Sequence, residues 1–252
     1  MPAHKGFNKV KMQSLKGKIA VITGASSGIG EATARLLANE GVNVVLVARR
    51  EEKINKIATE LGDSALAFTA DITDEHQVAS LFEYVKKQFG GLDLLFNNAG
   101  VGINGIFANS KPQDWRTQIE ANIYGVLNCT YAAIPLMKDR VGAMISTVSS
   151  TGGRAGASGW AVYCATKFAV IGFHDSLRKE LGEQGIRVSL IEPGAVWTEW
   201  GGTSEVDPAH KHRAQVNALQ PNDIAQALIY SFAQPPNVLV GEILVRPIRQ
   251  MD

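Results

Sequence analysis

Ile19-Ala20-Val21-Ile22-Thr23-Gly24-Ala25-Ser26-Ser27-Gly28-Ile29-Gly30 is the stretch that decides the fold. It opens as a short, β-rich apolar run, and Ile29 to Glu40 then continues as a helix pattern with Ala32, Leu36 and Leu37 near one face. Between the two, the chain must turn sharply and bring bare backbone close to whatever lies at the helix start. Glycine at 24, 28 and 30 permits that approach. The unpaired N–H groups of the first helical turn form the positive end of the helix dipole, a place for an anion such as a pyrophosphate. The spacing is G-x-x-x-G-x-G, not the commoner G-x-G-x-x-G. Taken alone, it is also the spacing of an ordinary tight strand-to-helix turn.

Outward from this stretch, short apolar runs recur at Asn43 to Ala48, Leu66 to Ala70, Leu92 to Asn97, Ala143 to Ser149, Arg187 to Ile191 and Glu242 to Arg246. Several are apolar at consecutive positions, as expected of strands covered on both faces of a parallel sheet. Helix patterns separate them, including Glu75 to Phe89 with Val78, Leu81, Phe82 and Val85, and Pro221 to Ala233 with Ile224, Ala227, Leu228 and Phe232. Strand-helix repetition with right-handed crossovers predicts an α/β fold, a doubly wound, Rossmann-like parallel sheet of about seven strands. No linker or repeat divides the chain, so residues 18–252 are expected to form one domain behind an N-terminal tail, 1–17. The one long irregular stretch, Gly194 to Gln220, is a candidate lid over a ligand site or else a surface excursion.

Composition narrows the partners. With 25 basic and 24 acidic residues among 252, the formal charge is +1, which supplies no strong field for nucleic acid or an anionic membrane surface. The expected partner is a small molecule. Cys129 and Cys164 lie in apolar, helix-like surroundings without a metal or redox spacing and read as buried thiols. The start lacks the apolar run of a signal peptide, and no stretch is long and apolar enough to suggest a membrane span. A cytoplasmic protein is expected.

The end of the second strand speaks to the choice of dinucleotide. NAD-selective sites commonly place a carboxylate there to hold the ribose 2′-OH. Here Ala48 occupies the position, followed by Arg49 and Arg50. A guanidinium engages phosphate in bidentate fashion, which favours NADP(H) over NAD(H), with Arg49 the better-placed contact. The alternative is a solvated pair at a helix start.

Tyr163 and Lys167, in Tyr-Cys-Ala-Thr-Lys, lie one turn apart within Gly159 to Leu181, which reads as helix, so both side chains emerge on one face. A free phenol titrates near pKa ~10, and an adjacent ammonium favours the phenolate, making the pair a plausible acid/base unit. By itself, Y-x-x-x-K also occurs by chance in amphipathic helices.

With these motifs in order, the sequence resembles the short-chain dehydrogenase/reductase family from Lys18 to about Pro247. Thr23 to Gly30 is similar to the family's glycine-rich turn, Asn97-Asn98-Ala99-Gly100 to its sheet-stabilising and cofactor-adjacent motif, and Tyr163 to Lys167 to its active-site motif. The resemblance implies catalytic roles for Asn122, Ser150, Tyr163 and Lys167. It implies cofactor contacts from Gly24, Ser26, Ser27, Gly28, Ile29 and Gly30, from Arg49, Arg50, Asp71 and Ile72, from Asn98, Ala99 and Gly100, and from Pro193, Gly194, Val196 and Thr198. Tyr163 and Lys167 count in both sets. In the implied chemistry, Ser150 and Tyr163 hold the substrate oxygen and Tyr163 exchanges its proton. Lys167 stabilises the phenolate and binds the nicotinamide ribose, and Asn122 positions a water that links Lys167 to solvent. The substrate is then a small carbonyl compound or alcohol.

The tail Val-Gly-Glu-Ile-Leu-Val-Arg-Pro, with Gln250 close behind, resembles an NADP-dependent subgroup that handles small polar aldehydes, hydroxy acids and amino alcohols. The family also implies a homodimer or homotetramer through the helices around Asp114 to Met137 and Ser158 to Leu181. No metal is expected: His210 and His212 are two apart, do not share a helix face and are flanked by Lys211 and Arg213. Trp160, Trp197 and Trp200 are expected to line a substrate pocket or to pack at a subunit contact. Two rivals to a reductase are an epimerase or dehydratase of the extended relatives, for which the chain lacks an added substrate domain, and a dinucleotide-sensing protein without turnover.

Overall fold

The computed structural model describes residues 12–200 and 208–250. Seven strands form one sheet: β1 (Ile19–Thr23), β2 (Asn43–Ala48), β3 (Ala65–Thr69), β4 (Leu94–Asn97), β5 (Met144–Val148), β6 (Arg187–Pro193) and β7 (Glu242–Val245). Their order is β3-β2-β1-β4-β5-β6-β7, and every pairing is parallel. Because β1 has β2 on one side and β4 on the other, the chain changes direction across the sheet at β1. A crevice opens there beyond the carboxyl ends of the strands.

The helices are α1 (Gly28–Asn39), α2 (Glu51–Leu61), α3 (Glu75–Phe89), α4 (Pro112–Ile119), α5 (Gly125–Met137), α6 (Ala161–Gly182), α7 (Pro208–Val216) and α8 (Pro221–Phe232). Two cores follow from covering both faces of the sheet. Leu37, Ile54, Leu228 and Phe232 pack with Ala20 and Ile22 on one face; Leu81, Val85, Met137 and Leu177 pack with Val21 and Leu95 on the other. Adjacent residues of β1 thus enter opposite cores, which is why its apolar run is unbroken.

Local signals set the helix bounds. The Asp74 carboxylate accepts from the N–H groups of His76 and Gln77 at the start of α3, and left-handed Gly90 ends it. Pro221 occupies the first turn of α8 behind a Gln220/Asp223 capping box.

The expected helix over 114–137 is instead two helices joined by a π-helical turn, Glu120–Tyr124. β4 begins two residues later than the apolar run; Asp93, just before it, still pairs its backbone with Ile19 and Met144 while its buried carboxylate accepts from Ile19 N and Arg140. Part of the expected tail is fixed: Gln13 bonds the carbonyls of Phe232 and Ala233 at 2.6 and 2.8 Å, and Leu15 is buried. Within the candidate lid, Val196 bridges Leu219 and α7 lies between them; residues 201–207 fall outside the described residues.

Candidate active site

The crevice at the ends of β1 and β4 widens into a cleft of about 1490 Å³. All the predicted site residues line it except Gly30 and Asn122. Each of those two acts one layer behind the surface. A Cβ at Gly30 would stand 2.4 Å from the Gly24 carbonyl oxygen, so glycine is what lets α1 lie against the turn. Asn122 sits in the π-helical turn, where its amide bonds both the N–H and the carbonyl of Val101 at 2.8 Å and donates to Thr166 Oγ1 at 3.0 Å.

The glycine-rich turn is braced by β4. Asn98 Nδ2 donates to the carbonyls of Thr23 and Gly24 at 3.0 and 3.2 Å, and Thr23 Oγ1 accepts from the N–H groups of Asn98 and Ala99. No side chain caps the start of α1. A Cβ at Gly28, whose φ is +58°, would reach 2.9 Å from Thr198 Cγ2, so the turn and the segment after β6 close on each other with only backbone between. An uncapped helix start behind a side-chain-free cradle is a fit for the pyrophosphate of a dinucleotide.

The two arginines after β2 part company. Arg50 turns back onto the glycine-rich turn, with Nε 2.9 Å and Nη2 2.7 Å from Ser26 Oγ and Nη2 also 2.6 Å from Ser27 Oγ. Arg49, expected to be the better placed, is 72% exposed and reaches only Asp71, at 3.7 Å. The helix start explains the difference: Arg50 is the N-cap of α2 and faces the turn, while Arg49 precedes it at the rim. Asp71 itself is held by Thr73, whose N–H and hydroxyl donate to Oδ1.

At the other end, α6 presents Tyr163 and Lys167 toward the end of β5. Lys167, 7% exposed, donates from Nζ to the Val148 carbonyl at 2.8 Å and lies 5.6 Å from the centre of the Tyr163 ring. Ser150, two residues beyond Val148, lies beside the phenol: a Cβ added at Gly152 would stand 3.4 Å from both Ser150 Oγ and Tyr163 Cε1. The serine, the phenol and the ammonium therefore converge where β5 meets α6. Burial pushes the Tyr163 phenol up to about 12, against the pull of Ser150. Burial also brings the Lys167 ammonium down to about 8. The downward shift expected of a phenol beside an ammonium is thus outweighed by desolvation, which drives both groups toward their neutral forms.

A Cβ added at Gly100 would stand 3.0 Å from Asn122 Oδ1 and 3.8 Å from Lys167 Nζ, so both side chains flank this glycine.

The tryptophans divide. Trp160 and Trp200 stack with ring centres 5.0 Å apart, and each contacts Tyr163, at 5.6 and 5.3 Å. Trp197 instead packs on His210 and under Arg213, fastening α7, whose Ala209, His212 and Arg213 line the cleft. His210 is thereby an aromatic contact, and no group of three metal-ligating side chains occurs among the described residues.

Sequence reasoning passed over Glu199 and Lys53, and noted Gln250 only as part of the tail. Glu199 accepts from Arg50 and Lys53. Gln250 Oε1 accepts from Ala195 N at 2.8 Å, rooting the segment after β6. Lys53 carried no signal beyond its place in an ordinary exposed helix turn. The available clue was Glu199's position directly after Thr198.

The family model described as short chain dehydrogenase matches residues 18–208. The chain belongs to the short-chain dehydrogenase family. This short-chain dehydrogenase is 37% identical over 238 residues to an uncharacterized oxidoreductase of Staphylococcus aureus (strain USA300), spanning 94% of this chain and 100% of that one. Among solved structures it resembles the closed form of serine dehydrogenase complexed with NADP+, at TM-score 0.86 and 29% identity, with 93% and 96% of the two chains covered. It also resembles the 3-ketoacyl-(acyl-carrier-protein) reductase of Brucella melitensis complexed with NADH, at TM-score 0.84 and 32% identity, with 94% and 99% covered. These likenesses make the short-chain dehydrogenase an oxidoreductase with a nicotinamide dinucleotide cofactor. One neighbour carries each cofactor, so the choice between them rests on this chain's own residues.

Proposed function

We propose that the protein is an NADP(H)-dependent oxidoreductase that exchanges hydride with a carbonyl or alcohol carbon of a small substrate. The observation that carries this reading is the convergence of Ser150, Tyr163 and Lys167 beside the cleft whose other end is the glycine-rich cradle.

The turn from Gly24 to Gly30 and the start of α1 would hold the pyrophosphate, Asp71 and Ile72 the adenine side, and Asn98 to Gly100 with Pro193, Gly194, Val196 and Thr198 the nicotinamide side. Bound there, the nicotinamide supplies or accepts the hydride. Ser150 donates a hydrogen bond to the substrate oxygen and fixes it beside Tyr163. Tyr163 Oη, protonated at neutral pH, gives its proton to that oxygen as negative charge develops. Lys167 stabilises the phenolate left behind, and Asn122, which flanks Gly100 with it, would position a water that links the ammonium to solvent.

Arg50, with Ser26 and Ser27 beneath it, supports NADP(H) over NAD(H), with Arg49 a lesser contact at the rim. The substrate range is an aldehyde, a ketone, a hydroxy acid or an amino alcohol. The likeness to a serine dehydrogenase agrees with the last two.

The reading includes a homodimer or homotetramer, supported by outward-facing Tyr124, Tyr131 and Phe168 beside and on α5 and α6. It also includes a cytoplasmic location, supported by two free, buried cysteines. No helix among the described residues is long and apolar enough to cross a membrane.

The test is NADPH oxidation with a panel of aldehydes and ketones by wild type and Tyr163→Phe. Turnover in wild type and a severe loss in the variant, with cofactor still bound, is the expected result; equal turnover by the two removes Tyr163 from the chemistry.

A further inference from the structure

Arg50 and Lys53 lie one turn apart at the start of α2, and one carboxylate joins them from across the cleft. Glu199 Oε2 accepts from Arg50 Nη1 at 2.6 Å, and its Oε1 accepts from Lys53 Nζ at 2.8 Å. The remaining donors of the guanidinium, Nε and Nη2, are directed at Ser26 and Ser27. A ribose 2′-phosphate arriving beside the end of β2 needs these same cations.

Glu199 reaches them because Thr198, its neighbour, is packed on Gly28. The carboxylate thus comes from the opposite wall of the cleft, not from the helix that carries its partners. Its two cations hold it well below the usual carboxylate range, down to about 2, so it stays an anion at every working pH. An anion already seated on Arg50 and Lys53 repels a second one and must yield its hydrogen bonds to it.

We propose that Glu199 is a cofactor-specificity residue, an internal anion that competes with the 2′-phosphate for Arg50 and Lys53 and so limits the preference for NADPH over NADH. The inference rests on the assignment of Arg50 to the 2′-phosphate made above. Lys53 enters the site as the second cation, with an ammonium that Glu199 occupies until the phosphate arrives.

The competition lowers affinity for the phosphorylated cofactor while leaving NADH, which carries a 2′-hydroxyl, largely indifferent. Removing the charge at 199 therefore has a sign opposite to removing the charge at 50. A merely structural role for Glu199, such as fastening the segment after β6, predicts instead that both cofactors weaken together.

The experiment titrates NADPH and NADH into the full chain as wild type, Glu199→Gln and Arg50→Ala, reading dissociation constants by nucleotide fluorescence. Adenosine 2′,5′-bisphosphate and 5′-AMP serve as competing probes of the phosphate alone. Glu199→Gln keeps the shape of the side chain, and circular dichroism checks that it is folded.

The expected result is an NADPH-over-NADH ratio raised about five- to tenfold by Glu199→Gln, the scale of one like-charge contact in a largely solvated site. The bisphosphate tightens in parallel and 5′-AMP does not. The same ratio collapses in Arg50→Ala. A ratio unchanged or lowered in Glu199→Gln, with Arg50→Ala still collapsing it, overturns the role of Glu199 alone. A ratio unchanged in Arg50→Ala overturns the NADP(H) assignment and the competition with it.

Discussion

The indole of Trp200 lies face to face on that of Trp160, with ring centres 5.0 Å apart and planes 15° from parallel. The pair covers the Tyr163 ring, and Trp200 fits so closely over Gly102 that a Cβ there would stand 2.1 Å from its Cζ2. Access to the phenol thus runs past a ring carried by the segment after β6.

Trp200→Ala is expected to open that approach. The ratio of kcat/KM for a bulky ketone to that for a small one should rise on the order of tenfold, the usual scale for enlarging an apolar pocket. Steady-state kinetics with both substrates checks it; an unchanged ratio means that the indole is not in the path of the substrate.

Tyr163→Phe keeps the ring against Trp160 and removes only the hydroxyl. Turnover should fall by about 10² to 10⁴, the range for losing a positioned proton donor. The dissociation constant for NADPH should stay within a small factor of wild type, since the phenol's task is at the substrate oxygen.

Gly30→Ala forces a methyl to within 2.4 Å of the Gly24 carbonyl oxygen and 2.6 Å of Asn98 Nδ2. The turn has to move, so dinucleotide affinity should drop and stability should fall by about 1–3 kcal/mol, as for other overpacked sites. Denaturant unfolding and cofactor titration measure the two effects. Unaltered values for both would remove the turn from the binding site.

His174 sets an acid limit. Its ring is buried on α6, with Nδ1 on the Val170 carbonyl at 3.0 Å and Nε2 without a partner among the described residues. Burial chiefly, with the nearby Lys167 adding to it, pulls its pKa from 6.5 down to about 4. Between those values the unfolded chain binds a proton that the native protein refuses, so stability is full above pH 6.5 and falls as pH drops toward 4. The loss amounts to about 3 kcal/mol at the low end. Urea unfolding from pH 7 to 5 should show this slope in wild type and a weaker one in His174→Gln.

Arg187 is a buried cation whose partners are backbone carbonyls. Its guanidinium donates to the carbonyls of Gly142, Ser231 and Phe232 at 2.7 to 3.1 Å, closing the end of α8 onto β6. Arg187→Met should cost roughly 3 kcal/mol or more, because several buried carbonyl oxygens lose their donor at once. Thermal unfolding tests this, and a Tm close to wild type would show that water replaces the guanidinium without loss.

The sheet was legible because both of its faces are covered, which leaves an unbroken apolar run at each strand such as Ile19–Thr23. The expected site residues were legible where a backbone need dictates the residue type, as at Gly24, Gly28 and Gly30. What remained hidden came from long-range geometry. No local pattern shows that the Asp93 carboxylate holds Arg140, or that the helix across Asn122 widens into a π turn. That Arg50, and not Arg49, turns onto the glycine-rich turn was hidden for the same reason: which guanidinium points inward depends on where Ser26, Ser27 and Glu199 come to lie. Glu199 itself belongs to an irregular segment, where neither helical nor strand periodicity assigns a direction to a side chain.

Gln250 has a practical bearing. Its amide oxygen takes the N–H of Ala195, and a Cβ on Gly194 would stand only 2.3 Å from that oxygen. A purification handle joined after Asp252 therefore sits within two residues of the root of the segment that carries Glu199 and Trp200. Preparations tagged at opposite ends should be compared before any difference in coenzyme usage or substrate range is credited to the enzyme itself.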